Sequence, residues 1–393
     1  MKLFLIKIGK AFKTIRRDGV FKGGKRVFQA FFALFRKVGS GDILFITGGV
    51  GDSARYRTHH VAEELELHGF KCSITVQDNP LLSKYADKFK IFIFHRVLFT
   101  PSVAKLVAKI KTQNKEIIFE TDDLVYDPQY LQYMDYFKQM NVFERKLYEN
   151  GVGGEILADD YVKVCTTTTS FLAQKLREKN KKVFIVPNKL STEDLQTVDK
   201  ILKNQKQKTK NQKLIKLGYF SGALSHNKDF ATITEALLRI MEKYSQVILF
   251  LAGPLDIDSE LNKFKDRIEQ LSYVPRNRHF ENVASVDINI APLEIGNPFC
   301  EGKSELKFFE AGIVKVPTVA AATQTFKEAI EDGVDGFTAS TNQEWFDKIE
   351  KLILDEKLRC EMGEKAREKA LRVYNVKNSN DEEYYNYLKS KLN

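Results

Sequence analysis

The run NPFCEGKSELKFFEAGIVKVPTVAA at 297–321 gathers small, cationic and carboxylate residues just ahead of a helical pattern. Gly302, Lys303 and Ser304 precede a helix expected to start near Glu305 and Leu306, so free N–H groups and an ammonium converge on one spot while Glu310 stands further along the helix. Such a place suits a diphosphate and a sugar hydroxyl. The competing reading is an ordinary amphipathic helix with Leu306, Phe309 and Ile313 buried and its charges solvated.

Two more loops have the right composition for a ligand. TGGVGDSARYR (47–57) follows the strand-like DILFIT and enters a helix; Gly49, Gly51 and Ala54 match GxGxxA, and Asp78 could then meet a ribose, as in a nicotinamide-dependent oxidoreductase. Tight strand-to-helix turns produce the same spacing for structural reasons alone. GYFSGALSHNKDF (218–230) offers Ser221 and Gly222 for close backbone approach and Lys228 as a phosphate-seeking charge, whereas His226 and Asp229 read equally well as helix caps.

His95 directly follows the apolar IFIF, and Arg55 and Arg57 follow the first glycine loop. Asp122 and Asp123 stand together after EIIFET, but two adjacent carboxylates do not make a closed metal site, and capping or interface bonding explains them as well. Cys72, Cys165, Cys300 and Cys360 lie far apart with no CxxC pair, which gives neither a zinc site nor a disulfide framework and fits a reducing compartment. No metal is expected.

These residues need a scaffold, and the chain supplies it twice. From Gly41, short apolar runs (DILFIT, FKCSITV, IFIFH, EIIFET, VKVCTT, VFIVP) alternate with amphipathic helices over Arg57–Gly69, Ser102–Asn114 and Thr169–Lys179, the grammar of a parallel sheet covered on both faces. This marks a first α/β domain at 41–190. Residues 191–213, which include the wholly polar KNQKQKTKNQK, read as a linker. A second α/β domain at 214–372 repeats the grammar with LIKLGYF, a helix over Asp229–Lys243, QVILFLAG, a helix through Asp258–Leu271, DINIAP, the helix Leu306–Gly312, VPTVAA and, after it, helices alone. Residues 373–393 are expected to form a helix packed back on the first domain. Ligands of open α/β sheets bind at the carboxyl ends of the strands, which places the expected site in a cleft between the two doubly wound domains.

Of 393 residues, the first 40 hold eleven Lys and Arg against one acid, and that excess equals the chain's whole net charge of +10. The remainder is balanced and gives no case for nucleic acid. In the first 40 residues Phe4, Leu5, Ile8, Phe12 and Ile15, then Val27, Phe28, Phe31, Phe32 and Phe35, recur at helical spacing among the basic residues. Basic, aromatic-rich helices of this kind lie in the headgroup region of an anionic leaflet; the alternative is a helix packed on its own protein. No stretch is apolar enough for a spanning helix or a signal-peptide core, so the expected location is cytoplasmic, peripheral at the inner face of the membrane.

KSELKFFEAGIVKVPTVAA, together with GYFSGALSHNKDF, ETDDL (120–124), TTTTSFLAQKL (166–176) and VPN (186–188), resembles the retaining glycosyltransferases of family 4, with the two-Rossmann GT-B fold, over about residues 41–375. The resemblance implies transfer of a sugar from a nucleotide sugar, a UDP-sugar by default and with no further cofactor, to a glycan or lipid-linked acceptor in surface-polysaccharide assembly. It implies that Glu310 holds the nucleotide ribose and that the backbone of Lys303 to Leu306 lies against sugar and diphosphate. By the same resemblance the Gly49 and Gly51 loop with Arg55 and Arg57 faces acceptor and diphosphate, and His95 lies near the sugar. Glu310 takes the place of the second glutamate of the family motif, whose first glutamate stands seven intervening residues earlier; here that position is Gly302, with Glu301 and Glu305 out of register. A non-catalytic nucleotide-sugar-binding module on the same fold is the alternative that this departure raises.

Overall fold

The computed structural model describes residues 38–134, 137, 140–205, 214–222, 226–271 and 276–392, with 24, 28, 31, 32, 34 and 35 before them. It divides into two units: one comprises the chain up to Lys189 plus Ser379–Asn393, the other Leu190–Asn378.

The first unit is built on a six-stranded sheet, β1 (Ile43–Thr47), β2 (Cys72–Val76), β3 (Ile91–His95), β4 (Glu116–Thr121), β5 (Val164–Thr167) and β6 (Lys182–Ile185), in the order β2-β1-β3-β4-β5-β6. Every pairing is parallel. β1, β3 and β5 are buried along their whole length, which explains why they read as unbroken apolar runs. The strand order reverses between β1 and β3, where the ends Thr47 and His95 are register partners.

The C-terminal helix Glu382–Ser390 inserts Tyr384, Tyr385 and Leu388 into this unit's core beside Phe184 and Val186. A buried carboxylate anchors that return. Glu64 accepts from Lys189 Nζ at 2.8 Å, from Ser379 Oγ at 2.7 Å and from Tyr385 Oη at 2.6 Å, so the points where the chain leaves and re-enters the unit are tied to one side chain.

The second unit repeats the plan with β7 (Ile215–Phe220), β8 (Val247–Ala252), β9 (Ile268–Leu271), β10 (Ile288–Ala291), β11 (Thr318–Ala321) and β12 (Phe337–Ala339), ordered β12-β11-β10-β7-β8-β9 and again parallel throughout. Counted from β7, the strands run third, second, first, fourth, fifth, sixth, the order of dinucleotide-binding domains, with the reversal between β7 and β10. The helix Leu306–Gly312 packs so closely on the helix Glu356–Val373 that a Cβ at Gly312 would stand 2.9 Å from the Ala366 carbonyl oxygen.

Three expectations need correction. Residues 192–205 are not linker but the helix Thr192–Gln205 of the second unit, fastened where Asp194 accepts two hydrogen bonds of 3.0 Å from Arg276. The helix expected through Leu271 ends as a 3-10 stretch at Arg267, and Ile268–Leu271 pairs with β8; on this half-exposed edge strand the polar residues obscure the alternation. Helices alone were expected after VPTVAA, but the short edge strand Phe337–Ala339 intervenes. The N-terminal segment falls almost wholly outside the described residues. Among those described, no helix is long and apolar enough to cross a membrane.

Candidate functional site

In the first unit the reversal point of the sheet carries a pocket of about 230 Å³, bordered by Thr47, Gly49, Gly51, Ser53, His95 and Arg96. The parallel register sets Thr47 beside His95, and their side chains meet: Thr47 Oγ1 lies 3.1 Å from His95 Nδ1. On its other nitrogen His95 meets Ser53 Oγ at 3.0 Å, and that hydroxyl donates to Asp122 Oδ2 at 2.7 Å. His95 is therefore held in one orientation by bonds at both ring nitrogens.

Arg96 follows with a left-handed φ of 47°, a conformation that costs a non-glycine residue about 1–2 kcal/mol. Two carboxylates hold it there, Asp122 at 2.5 Å from Nε and Asp123 bonded to Nη2. Burial alone would push the Asp122 carboxyl up, but the Arg96 charge and the His95 contact hold it well below the usual carboxylate range. Burial and the neighbouring Asp122 charge push Asp123 the other way, against the pull of Arg96. The acid pair thus positions Arg96.

Gly48 is required by packing, since a Cβ there would lie 2.0 Å from the Arg96 carbonyl oxygen. At Gly49 and Gly51, by contrast, a Cβ would meet nothing within 4 Å, and neither residue has a positive φ. The fold does not demand glycine at these positions. The space they leave opens onto the pocket.

The helix behind the loop is helical over Asp52–Ala54, widens into a π-helical stretch at Arg55–His60 and continues through Val61–Leu67. The two expected arginines, two positions apart, point to opposite sides of the helix. Arg55 pairs with Asp52 at 3.0 Å on a partly exposed face. Arg57 is 0% exposed: its Nε and Nη2 engage both oxygens of Glu120 at 2.8 and 3.0 Å, and Nη1 donates to Val186 O and Asn188 Oδ1. Burial works against its charge, yet Glu120 more than offsets this and keeps the guanidinium firmly protonated. Arg57 is a core ion pair, not an acceptor-facing group.

In the second unit a second cluster forms at the other reversal point. Asp229, on the short helix Asn227–Ala231 after β7, points inward, whereas Lys228 is exposed. Asp229 Oδ2 lies 2.6 Å from Lys303 Nζ and 2.9 Å from His226 Nδ1; its Oδ1 accepts from Cys300 Sγ at 3.1 Å and from the Glu294 amide, beyond β10, at 3.3 Å. One carboxylate therefore joins the loops after β7 and β10 to the segment before the helix Leu306–Gly312. Burial raises the Asp229 carboxyl, but His226 and Lys303 hold it below the ordinary range. Burial, assisted by Lys303 and Lys307, brings His226 down to about 4 against the pull of Asp229. Despite burial, Asp229 raises the Lys303 ammonium above its ordinary value.

Asp229, Glu294 and Cys300 offer ligand atoms within 4.8 Å of one another. The Lys303 ammonium already serves as their cation, 2.6 Å from Asp229 and 3.8 Å from Cys300 Sγ, and burial raises the thiol to about 12, leaving it a poor metal ligand.

Ser221 is buried at the end of β7, while a Cβ at Gly222 would meet nothing within 4 Å. Ser304 is half-buried, Glu305 is buried at the N-cap without a side-chain cap bond, and Leu306 opens the helix. Glu310, one turn on, is engaged by Arg276 Nη1 and by His279 Nε2 at 3.0 Å. The glutamates flanking Gly302 differ in position: Glu301 accepts from the amides of Gly296 and Gln324 and so ties loops together, and Glu305 lies beneath the helix start against Tyr374.

Sequence reasoning missed Thr47, Ser53 and Arg96 in the first cluster and Cys300, Lys307, Arg276 and His279 in the second. It read Asp122 as capping or interface bonding and left Asp229 between a helix cap and the ligand loop. For Thr47 and Arg96 the available signal was their placement at or just after the ends of β1 and β3, which flank the reversal in strand order, and it becomes readable only once that order is known.

Residues 216–355 match the family described as Glycosyl transferases group 1. No curated protein matches the chain. Among solved structures, Anabaena Alr3699/HepE in complex with UDP is similar over 89% of this chain and 100% of its own, with a TM-score of 0.59 and 15% identity. Sucrose-phosphate synthase from Thermosynechococcus elongatus aligns over 89% and 98%, with a TM-score of 0.59 and 12% identity. The catalytic domain of starch synthase IV from Arabidopsis thaliana, bound to ADP and acarbose, aligns over 90% and 99%, with a TM-score of 0.56 and 11% identity. The chain has the GT-B fold of these glycosyltransferases, and its second unit carries the group 1 glycosyltransferase domain, the signature of an enzyme.

Proposed function

We propose that the protein is a retaining glycosyltransferase that takes a sugar from a nucleotide sugar, UDP-linked by default, and delivers it to a glycan or lipid-linked acceptor in cell-surface polysaccharide assembly. The observation that carries this reading is the Lys303 ammonium held by Asp229 and His226 at the reversal point of the second sheet, beside the open space at Gly222. A diphosphate leaving group gains negative charge as the glycosidic bond breaks, and a fixed ammonium stabilises that charge without reorganising. The leaving phosphate oxygen takes the proton of the acceptor hydroxyl as the new bond forms. Glu310 accepts from the ribose hydroxyls, with Arg276 and His279 fixing its carboxylate, and Ser221, Ser304 and the backbone of Glu305 and Leu306 line the donor side. In the first unit His95, fixed at both nitrogens, borders the pocket together with Gly49 and Gly51. The UDP and UDP-glucose complexes of the Anabaena neighbour support a uridine nucleotide. Lys228, exposed on its helix, takes an outer role on the donor side.

Incubation with a panel of nucleotide sugars tests the reading through release of nucleoside diphosphate. Release supports an enzyme; tight binding with no turnover in the presence of acceptor extracts supports a binding module, the reading favoured by Gly302 in place of the family glutamate.

We place the enzyme at the cytoplasmic face of an anionic membrane through residues 1–37. The support is their excess of basic residues and the exposure of Phe28, Phe31, Phe32 and Phe35, each more than half accessible.

A further inference from the structure

Lys307 acts by its charge on His226 in the second cluster, but its own ammonium has no bonding partner there. It follows Leu306 in the helix Leu306–Gly312, and its backbone carbonyl accepts from Asn289 Nδ2 at 3.1 Å. Its ammonium lies 5.8 Å from the centre of the Tyr219 ring, and no hydrogen bond or ion pair joins it to any described residue. The contrast with Lys303, one helical turn earlier, is plain: that ammonium has Asp229 at 2.6 Å. Two cations thus stand on one side of the Asp229 cluster, and its carboxylate satisfies only one of them.

We propose that Lys307 is a second cation for the donor's diphosphate, placed beside Lys303 and left open by the protein for an anion to complete. The proposal rests on the donor-site reading above and adds to it a residue and a proton linkage. The groups that act on Lys307 are Lys303, which opposes its charge, and Asp229 and Glu310, which favour it; His226 and the Tyr219 ring complete its surroundings. Burial, with Lys303, lowers the Lys307 ammonium from its ordinary 10.5 to about 8. A phosphate oxygen against it would restore the charged form, so above neutral pH donor binding takes up a proton. Lys303, already raised by Asp229, stays charged throughout and contributes none. Above pH 7.5 the terminal phosphate of a nucleoside diphosphate is deprotonated before and after binding, which leaves the uptake to the protein.

Isothermal titration of the full-length protein with UDP, in buffers of differing ionisation enthalpy, reads the uptake directly. For wild type we expect uptake of about half a proton per site at pH 8, falling to about a quarter at pH 7.5. Lys307→Gln should lose the uptake and bind about ten- to a hundredfold more weakly, the cost of one charge-assisted bond. Lys307→Arg, which keeps the charge and guards against a variant that fails to fold, should hold affinity within several-fold yet lose the uptake. Unchanged affinity in Lys307→Gln, or persisting uptake in Lys307→Arg, overturns the proposal. Pyrophosphate separates it from the reading beneath it. If pyrophosphate binds with Lys307-dependent uptake while no nucleoside diphosphate binds, the anion site stands and the glycosyltransferase reading falls. If UDP binds and a nucleotide sugar is turned over regardless of Lys307, the reverse holds.

Discussion

Lys303 Nζ lies 2.6 Å from Asp229 Oδ2, a bond between residues 74 positions apart that converts the ends of two separate loops into one charged surface. A carboxylate that holds an ammonium in place also removes the ordering cost from the moment a ligand arrives. Lys303→Ala should therefore reduce nucleoside diphosphate release by about ten- to a thousandfold, chiefly in kcat, because the charge it meets develops as the bond breaks. Glu310→Ala should act mainly on KM for the donor, since a ribose contact is made alike before and during reaction. Initial rates over a range of donor concentrations distinguish the two, and equal, wild-type behaviour in both variants removes them from the mechanism.

The same cluster makes the second unit sensitive to acid. His226 titrates at about 4 in the folded chain against 6.5 ordinarily, so between these values the unfolded chain binds more protons and stability falls as pH is lowered. The loss amounts to something on the order of 3 kcal/mol. Asp229, held below its ordinary 3.8, contributes stability above that value and loses it on further acidification, so the two effects run in the same direction and in sequence. Unfolding midpoints measured from pH 7 to pH 4 should decline in wild type and flatten over this range in His226→Asn.

Arg57 and Glu120 predict a different phenotype. Both side chains are nearly inaccessible, and removing one partner strands the other as a buried charge, which costs about 3–5 kcal/mol. Arg57→Met and Glu120→Gln should each lower the thermal midpoint markedly. Arg55→Met, on the partly exposed face, should leave it almost unchanged. If Arg57→Met is as stable as wild type, the buried pair is not what holds β4 to the helix behind the first loop.

Much of this architecture was legible in the sequence because fully buried parallel strands leave continuous apolar runs; Ile43–Thr47, Ile91–His95 and Ile288–Ala291 could be read directly. Edge strands such as Ile268–Leu271 and Phe337–Ala339 are short or half-exposed and carry no such signal. The loops of the site were legible from their glycines and charges, but the pairing inside them was not. Whether Asp229 caps a helix or grips Lys303, and whether Arg57 faces solvent or Glu120, depends on which strand ends the sheet order brings together, and that is not local to the residues concerned.

The basic N-terminus predicts a separable function. Deleting residues 1–37 should leave donor hydrolysis in solution largely intact, because the first strand begins at Ile43, yet abolish co-flotation with anionic vesicles. Raising salt should weaken flotation of the full chain without ending it, and replacing Phe28, Phe31, Phe32 and Phe35 with serine should remove most of it. Equal flotation of full-length and truncated protein would assign the segment to the fold instead.

Thermal shift of the full-length protein and its Lys303→Ala variant against UDP and NAD(P) reads out whether the Lys303–Asp229 cluster serves a nucleotide-sugar donor. Stabilisation by a ligand follows its affinity for the folded state. Wild type should shift clearly upward with UDP, Lys303→Ala should lose most of that shift, and neither protein should shift with NAD(P). A shift with NAD(P) and none with any nucleoside diphosphate would contradict it.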